Sequence, residues 1–192
     1  MIPTRVVCVS TSSPLTSVAL WRDGECAWSH REEARQNASQ KALESIQNGL
    51  SSIGLSLADL EGIVVDRGPG SFTGTKVGVV IAKVLASELN IPVAGVLSFD
   101  LMGPEGPWAI PVRRGVYCRR DAPGSEWRLV AADELGAARG YGPDFPEPTY
   151  PDAAKWDPNR DHPRWATWAE LQAEYVLPPS ITPPKKPYRE MA

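Results

Sequence analysis

The chain is poor in the residues from which metal and redox sites are usually built. It has three cysteines, Cys8, Cys26 and Cys118, and two histidines, His30 and His162, in 192 residues. The cysteines are odd in number and show no C-x-x-C spacing, so they read as free thiols of a cytosolic protein. Neither histidine has a second His or a Cys at ligand spacing, so no metal is expected. Excess positive charge is also missing: 20 Lys and Arg stand against 23 Asp and Glu, for a net charge of -3. That balance argues against a chain that binds nucleic acid on its own through a basic surface. No apolar run approaches the roughly 20 residues needed to span a bilayer, and the run after Arg5 is too short for a secretory signal. A cytoplasmic protein without membrane contact is expected.

What is present is enough for a core, with 42% hydrophobic and 22% charged residues. Residues 5–9, 16–21 and 26–31 read as strands, and Asp23-Gly24 is a strong hairpin signal between the last two. Ser39 is the expected cap of a helix carrying Leu43, Ile46, Leu50 and Ile53 at helical spacing. A strand over 63–65, a helix ending near Asn90 and a strand over 92–97 follow. Residues 5–97 thus read β-β-β-α-β-α-β, an α/β architecture with helices packed on a mixed sheet. Beyond Met102 the composition changes, with fifteen of the nineteen prolines in the second half. Strands are expected over 108–112, 115–120 and 127–130, a helix over 165–174, and an extended proline-rich tail over 178–187. The division is an N-terminal lobe over 1–100 and a reduced C-terminal lobe over 101–192.

The stretch around which the rest is arranged is Asp66-Arg67-Gly68-Pro69-Gly70-Ser71-Phe72-Thr73-Gly74-Thr75-Lys76-Val77-Gly78. Gly68, Pro69 and Gly70 predict a tight loop, and Ser71 or Thr73 can cap the helix that follows. Inside that helix Gly74, Gly78, Ala82 and Ala86 recur every four residues. A glycine within a helix costs about 1 kcal/mol relative to alanine, so the stripe predicts close approach of another backbone. Val77, Val80, Ile81 and Val84 are expected to face the sheet. The loop does not have P-loop spacing, because position 69 is Pro and Gly74 is followed by Thr75-Lys76-Val77. No G-x-S-x-G elbow surrounds Ser71, so neither Ser71 nor Cys118, paired with His30 or His162, is expected to act as a nucleophile.

The segment from Val6 to Gly24, the loop Arg67-Gly68-Pro69-Gly70-Ser71-Phe72-Thr73-Gly74, and its continuation through Lys76-Val77-Gly78 and Ala82-Lys83 together resemble the bacterial TsaB (YeaZ) family. Weaker echoes are Arg113-Arg114-Gly115-Val116-Tyr117 and Tyr175-Val176-Leu177-Pro178-Pro179. The resemblance implies an actin-like, RNase H-like fold of two related lobes. It implies a non-catalytic scaffold in threonylcarbamoyladenosine modification of tRNA, without cofactor, acting as the partner of TsaD, the paralogue that transfers the group. It further implies dimerisation with TsaD through the two N-lobe helices, a homodimer when alone, a possible TsaE-like ATPase partner, and tRNA met only within the complex. The interface expected on this basis comprises Leu43, Gln47, Leu50, Thr73, Gly74, Gly78, Ala82 and Leu85.

The chain departs from the family at three places: Ser10-Thr11-Ser12 replaces an Asp-Thr-Ser pattern, Pro111-Val112-Arg113 replaces Asp-Ala-Arg, and the second lobe is short and proline-rich. TsaD-like enzymes carry a paired-His metal motif on the first helix, where this chain has Gln36, Asn37 and Gln40. A carboxylate in the first turn would help hold a phosphate-bound metal, and Ser10 has no charge. The alternative function is a nucleotide-binding actin-like ATPase or sensor. Arg113, Arg114, Arg119 and Arg120, with Lys185, Lys186 and Arg189 of the tail, are candidates for tRNA phosphate contacts within a complex.

Overall fold

A computed structural model of the chain describes residues 2–34, 36–161 and 163–176. The first three strands form as the alternation predicts. Strand β1 (Arg5–Ser10) pairs antiparallel with β2 (Leu15–Arg22), which pairs antiparallel with β3 (Glu25–Glu33). Asp23 and Gly24 both adopt left-handed φ, 53° and 86°, the geometry of a two-residue turn matched to strand twist. Helix α1 (Ala38–Ser52) follows. Its N-cap is Asn37, without a side-chain cap bond, and Ser39 lies inside the helix. Strand β4 (Gly62–Asp66), helix α2 (Phe72–Leu89) and strand β5 (Val93–Val96) complete the first sheet and the helices on it. Sheet order is β3-β2-β1-β4-β5, with β1, β4 and β5 parallel.

Alternation of side chains along β1 and β4 sends residues to two cores. Val7, Val9, Ile63 and Val65 pack with Ile46 and Leu50 of α1 and Val79 and Ile81 of α2. Val6, Cys8 and Val64 point the other way, toward Leu101, Ala153 and Trp156. Both faces are covered, so β1 and β4 are apolar along almost their whole length.

The second sheet contains β6 (Trp108–Arg113), β7 (Val116–Arg120), β8 (Trp127–Ala131) and the two-residue β9 (Arg139–Gly140), in the order β8-β7-β6-β9. The later residues then return to the first sheet. Trp156 meets Trp21 edge-on at 5.3 Å between centroids, and Ala166 exchanges backbone hydrogen bonds of 2.8 and 2.9 Å with Val93. The helix expected over 165–174 is absent. Trp165 packs over Gly62, Leu171 enters the core beside Gly95, and Trp168 remains exposed. Separate docking sites along the sheet thus override the apparent helical spacing. A short helix α3 (Pro158–Asp161) precedes this segment. The proline-rich tail, Leu177, Lys185, Lys186, Arg189 and His162 lie outside the described residues. Among the described residues no helix is long and apolar enough to cross a membrane.

Candidate functional site

The loop between β4 and α2 is held by the turn that joins β1 to β2. The Ser71 amide donates to the Ser12 carbonyl at 2.7 Å, and the Thr11 hydroxyl donates to the Gly74 carbonyl at 2.7 Å. Ser71 is the N-cap of α2, its hydroxyl accepting from the Gly74 amide at 3.3 Å. A side chain at Gly70 or Gly74 would run into the carbonyl oxygens of Ser12 and Thr11, and a Cβ at Gly78 would lie 2.6 Å from the Thr11 hydroxyl. The backbone that approaches the small-residue stripe is therefore the chain's own Thr11–Ser12 turn.

This reverses the expected orientation of α2. Gly78, Ala82 and Ala86 are buried against β1 and β4, whereas Val80 and Val84 are 48% and 55% exposed. Ile81 is buried and Val77 half-buried, so only part of the valine–isoleucine face meets the sheet. Of the expected interface residues, Leu50, Gly78 and Ala82 are taken up within the chain. Leu43, Gln47 and Thr73 are exposed, and Gly74 and Leu85 are half-buried. Phe72, at the start of α2, is also exposed and stacks on Tyr175 at 4.8 Å. Beside that pair, the Glu174 amide donates to the Arg67 carbonyl and the Glu174 carboxylate pairs with the Arg67 guanidinium, both at 2.6 Å.

Behind the loop lies a buried carboxylate that the sequence reading did not single out. Asp66 Oδ2 accepts from Ser10 Oγ at 2.6 Å and Ser12 Oγ at 2.5 Å. Asp66 Oδ1 accepts from Ser98 Oγ at 2.5 Å and the Gly68 amide at 2.9 Å. Asp66, Ser10, Ser12 and Ser98 are each fully buried. Burial pushes the Asp66 carboxyl above its ordinary range, while the four hydrogen bonds pull it back. The missing charge at Ser10 was the available signal, since Ser10 and Asp66 end adjacent parallel strands whose last paired residues are Val9 and Val65.

The remaining candidates are dispersed. His30, on edge strand β3, pairs with Glu32 at 3.6 Å and stacks on Trp28. Cys118 is buried, and desolvation pushes its thiol up to about 12, which removes thiolate character. The basic cluster divides: Arg113 and Arg114 are exposed, whereas Arg119 pairs with Asp121 and the buried Arg120 with Asp100. A groove of about 240 Å³ near the N-terminal ends of α1 and α2 is lined by Thr11, Ser13, Gln36, Ser39, Ser71 and Thr73 among others. None of the described residues lining it is charged, so nothing there would neutralise a phosphate beyond backbone and hydroxyl dipoles. No group of three or more His, Cys, Asp or Glu that could hold a metal occurs among the described residues.

Comparison with known proteins follows the same lines. A family model for TsaD, tRNA N6-adenosine threonylcarbamoyltransferase, matches residues 30–105. The tRNA threonylcarbamoyladenosine biosynthesis protein TsaB of Escherichia coli is 34% identical over 138 residues, covering 71% of this chain and 59% of the relative. TsaB of Bacillus subtilis is 32% identical over 101 residues, covering 53% and 44%. The chain thus spans less than two thirds of either relative's length. The structure of YeaZ from Pseudomonas aeruginosa superposes with a TM-score of 0.67 at 21% identity, over 90% of this chain and all of that one, a likeness of fold. The sequence matches and the structural neighbour together support the TsaB (YeaZ) family for this chain.

Proposed function

We propose that the chain works in threonylcarbamoyladenosine modification of tRNA as a non-catalytic partner of a TsaD-type transferase. It docks through the outward sides of α1 and α2. The observation that carries this reading is the apolar surface left open there: Leu43, Phe72, Val80 and Val84 are four of the eight large hydrophobic side chains most exposed among the described residues. Apolar surface gathered on neighbouring elements marks a contact site, and α1 packs beside α2. Leu43, Gln47 and Thr73 belong to this contact, with Gly74 and Leu85 at its edge. In the absence of the transferase the same surface pairs two copies of this chain. A TsaE-like ATPase joins the assembly, and tRNA is met only within it, in the cytoplasm. The non-catalytic role is supported by the Ser10, Ser12 and Ser98 hydroxyls all being committed to Asp66 and by the Cys118 thiol being buried.

The test is light scattering on the chain alone and mixed with the TsaD protein of the same organism. A homodimer that exchanges into a heterodimer is expected. A chain whose mass is indifferent to the transferase would remove the function and leave the fold.

A further inference from the structure

Four donors from three stretches of chain converge on one point: the end of β1 and the turn after it (Ser10, Ser12), the glycine loop (Gly68) and the short helical turn after β5 (Ser98). All are neutral, and each Asp66 oxygen receives two of them. The nearest basic residue in sequence, Arg67, turns away to pair with Glu174. Beside Gly68, the Thr75 hydroxyl is 1% exposed and finds no hydrogen-bond partner among the described residues. Neutral hydroxyl and amide dipoles pointed at a single dry position are the equipment of an oxyanion site. A buried charge without a counter-ion persists only when such donors surround it.

We propose that this junction is an oxyanion-binding nest, of the carboxylate and phosphate class, which the chain fills with its own Asp66 side chain. The anion is built in. It ties the first turn, the glycine loop and the turn after β5 together without a ligand from solution. The inference is independent of the proposed partner, because it concerns the interior of the chain alone. It also follows that the carboxylate can be supplied from the adjacent strand, since Ser10 Oγ lies 2.6 Å from Asp66 Oδ2.

The experiment is thermal unfolding of the full chain, Asp66→Gly, Asp66→Asn and the exchange variant Ser10→Asp/Asp66→Ser, each in acetate or inorganic phosphate against chloride at equal ionic strength. Asp66→Gly deletes the equivalent of one acetate ion. Its melting temperature is expected to rise by about 5 °C with saturating acetate, a response absent from the unaltered chain. The exchange variant should melt within a few degrees of the unaltered chain and should also ignore acetate. Asp66→Asn should melt well below it, because the nest is built for a charge. Equal anion responses in Asp66→Gly and the unaltered chain would overturn the proposal. So would an Asp66→Asn chain as stable as the original, which would mean that the side chain is held as the neutral acid. Should Asp66→Gly fail to fold, the exchange variant decides: a folded chain supports the nest and an unfolded one overturns it.

Discussion

The two sides of α2 differ in where their small and bulky apolar residues fall. The inward side carries Gly74, Gly78, Ala82 and Ala86, and the outward side carries Phe72, Val80 and Val84. On an ordinary amphipathic helix the bulky apolar residues face the sheet. Here the Thr11–Ser12 turn lies so close to the first turns of the helix that only glycine fits at Gly74 and Gly78, while Val79 and Ile81 fill the core beside them. An inward glycine is thus a requirement of the fold, whereas an outward valine is not, and on the proposed function it is surface offered to the partner. Substitutions on the two sides should therefore fail in different ways.

The largest effect is expected at Gly78. Gly78→Arg would force a side chain into the Thr11 hydroxyl and Val65, costing more than about 4 kcal/mol. Urea unfolding of this variant should find no cooperative native state, and a native-like midpoint would mean that the stripe faces outward after all. Next is the carboxylate beneath the loop. Asp66→Ala removes the acceptor of three hydroxyls and an amide, leaving Ser12 and Ser98 only each other, a loss of about 3 kcal/mol, seen as a lower urea midpoint with unchanged slope. The outward side should scarcely respond: Val84→Ser should change stability by less than about 0.5 kcal/mol. A loss of several kcal/mol there would show that Val84 is structurally engaged and would break the contrast.

The smallest effect concerns the two carboxylates that bracket β4, which repeat the contrast between inside and outside. Glu61, before the strand, is held by the Thr4 amide and hydroxyl and then by Arg5, which bring its carboxyl down to about 2. Its stabilisation is present above about 4.5, the unfolded value, and is lost as pH falls toward 2, where the folded form takes up its proton. Asp66 has the opposite sign. Burial raises its folded value, so between 3.8 and that raised value the native chain binds more protons than the unfolded one, and stability declines as pH rises. Glu61→Gln should flatten the acid side of the stability profile between about 4.5 and about 2. A profile identical to the parent in that window would mean that the Thr4 bonds do not hold the charge.

The β-β-β-α-β-α-β order, the Asp23-Gly24 hairpin and the Ser71 cap were legible because each is written in a few adjacent residues. The four-residue recurrence of Gly74, Gly78, Ala82 and Ala86 correctly announced a close backbone approach, yet periodicity cannot distinguish the chain's own turn from another molecule. The Asp66 cluster was hidden for a different reason: Ser10 and Ser12 lie more than fifty positions from it, and Ser98 more than thirty, so only the strand order unites them. The spacing over 165–174 misled because its apolar residues dock one at a time along the sheet. Asn37 rather than Ser39 starts α1, a two-residue shift of the kind common at helix ends.

On the proposed function, the outward side of α2 is spare for the fold and needed for the partner. The most direct measurement is light scattering of the double variant Val80→Glu/Val84→Glu, mixed with the TsaD protein of the same organism, beside its own thermal melt. A variant that melts with the parent but no longer forms the heterodimer is the predicted result. A variant that melts with the parent and still binds the transferase with unchanged affinity would contradict it.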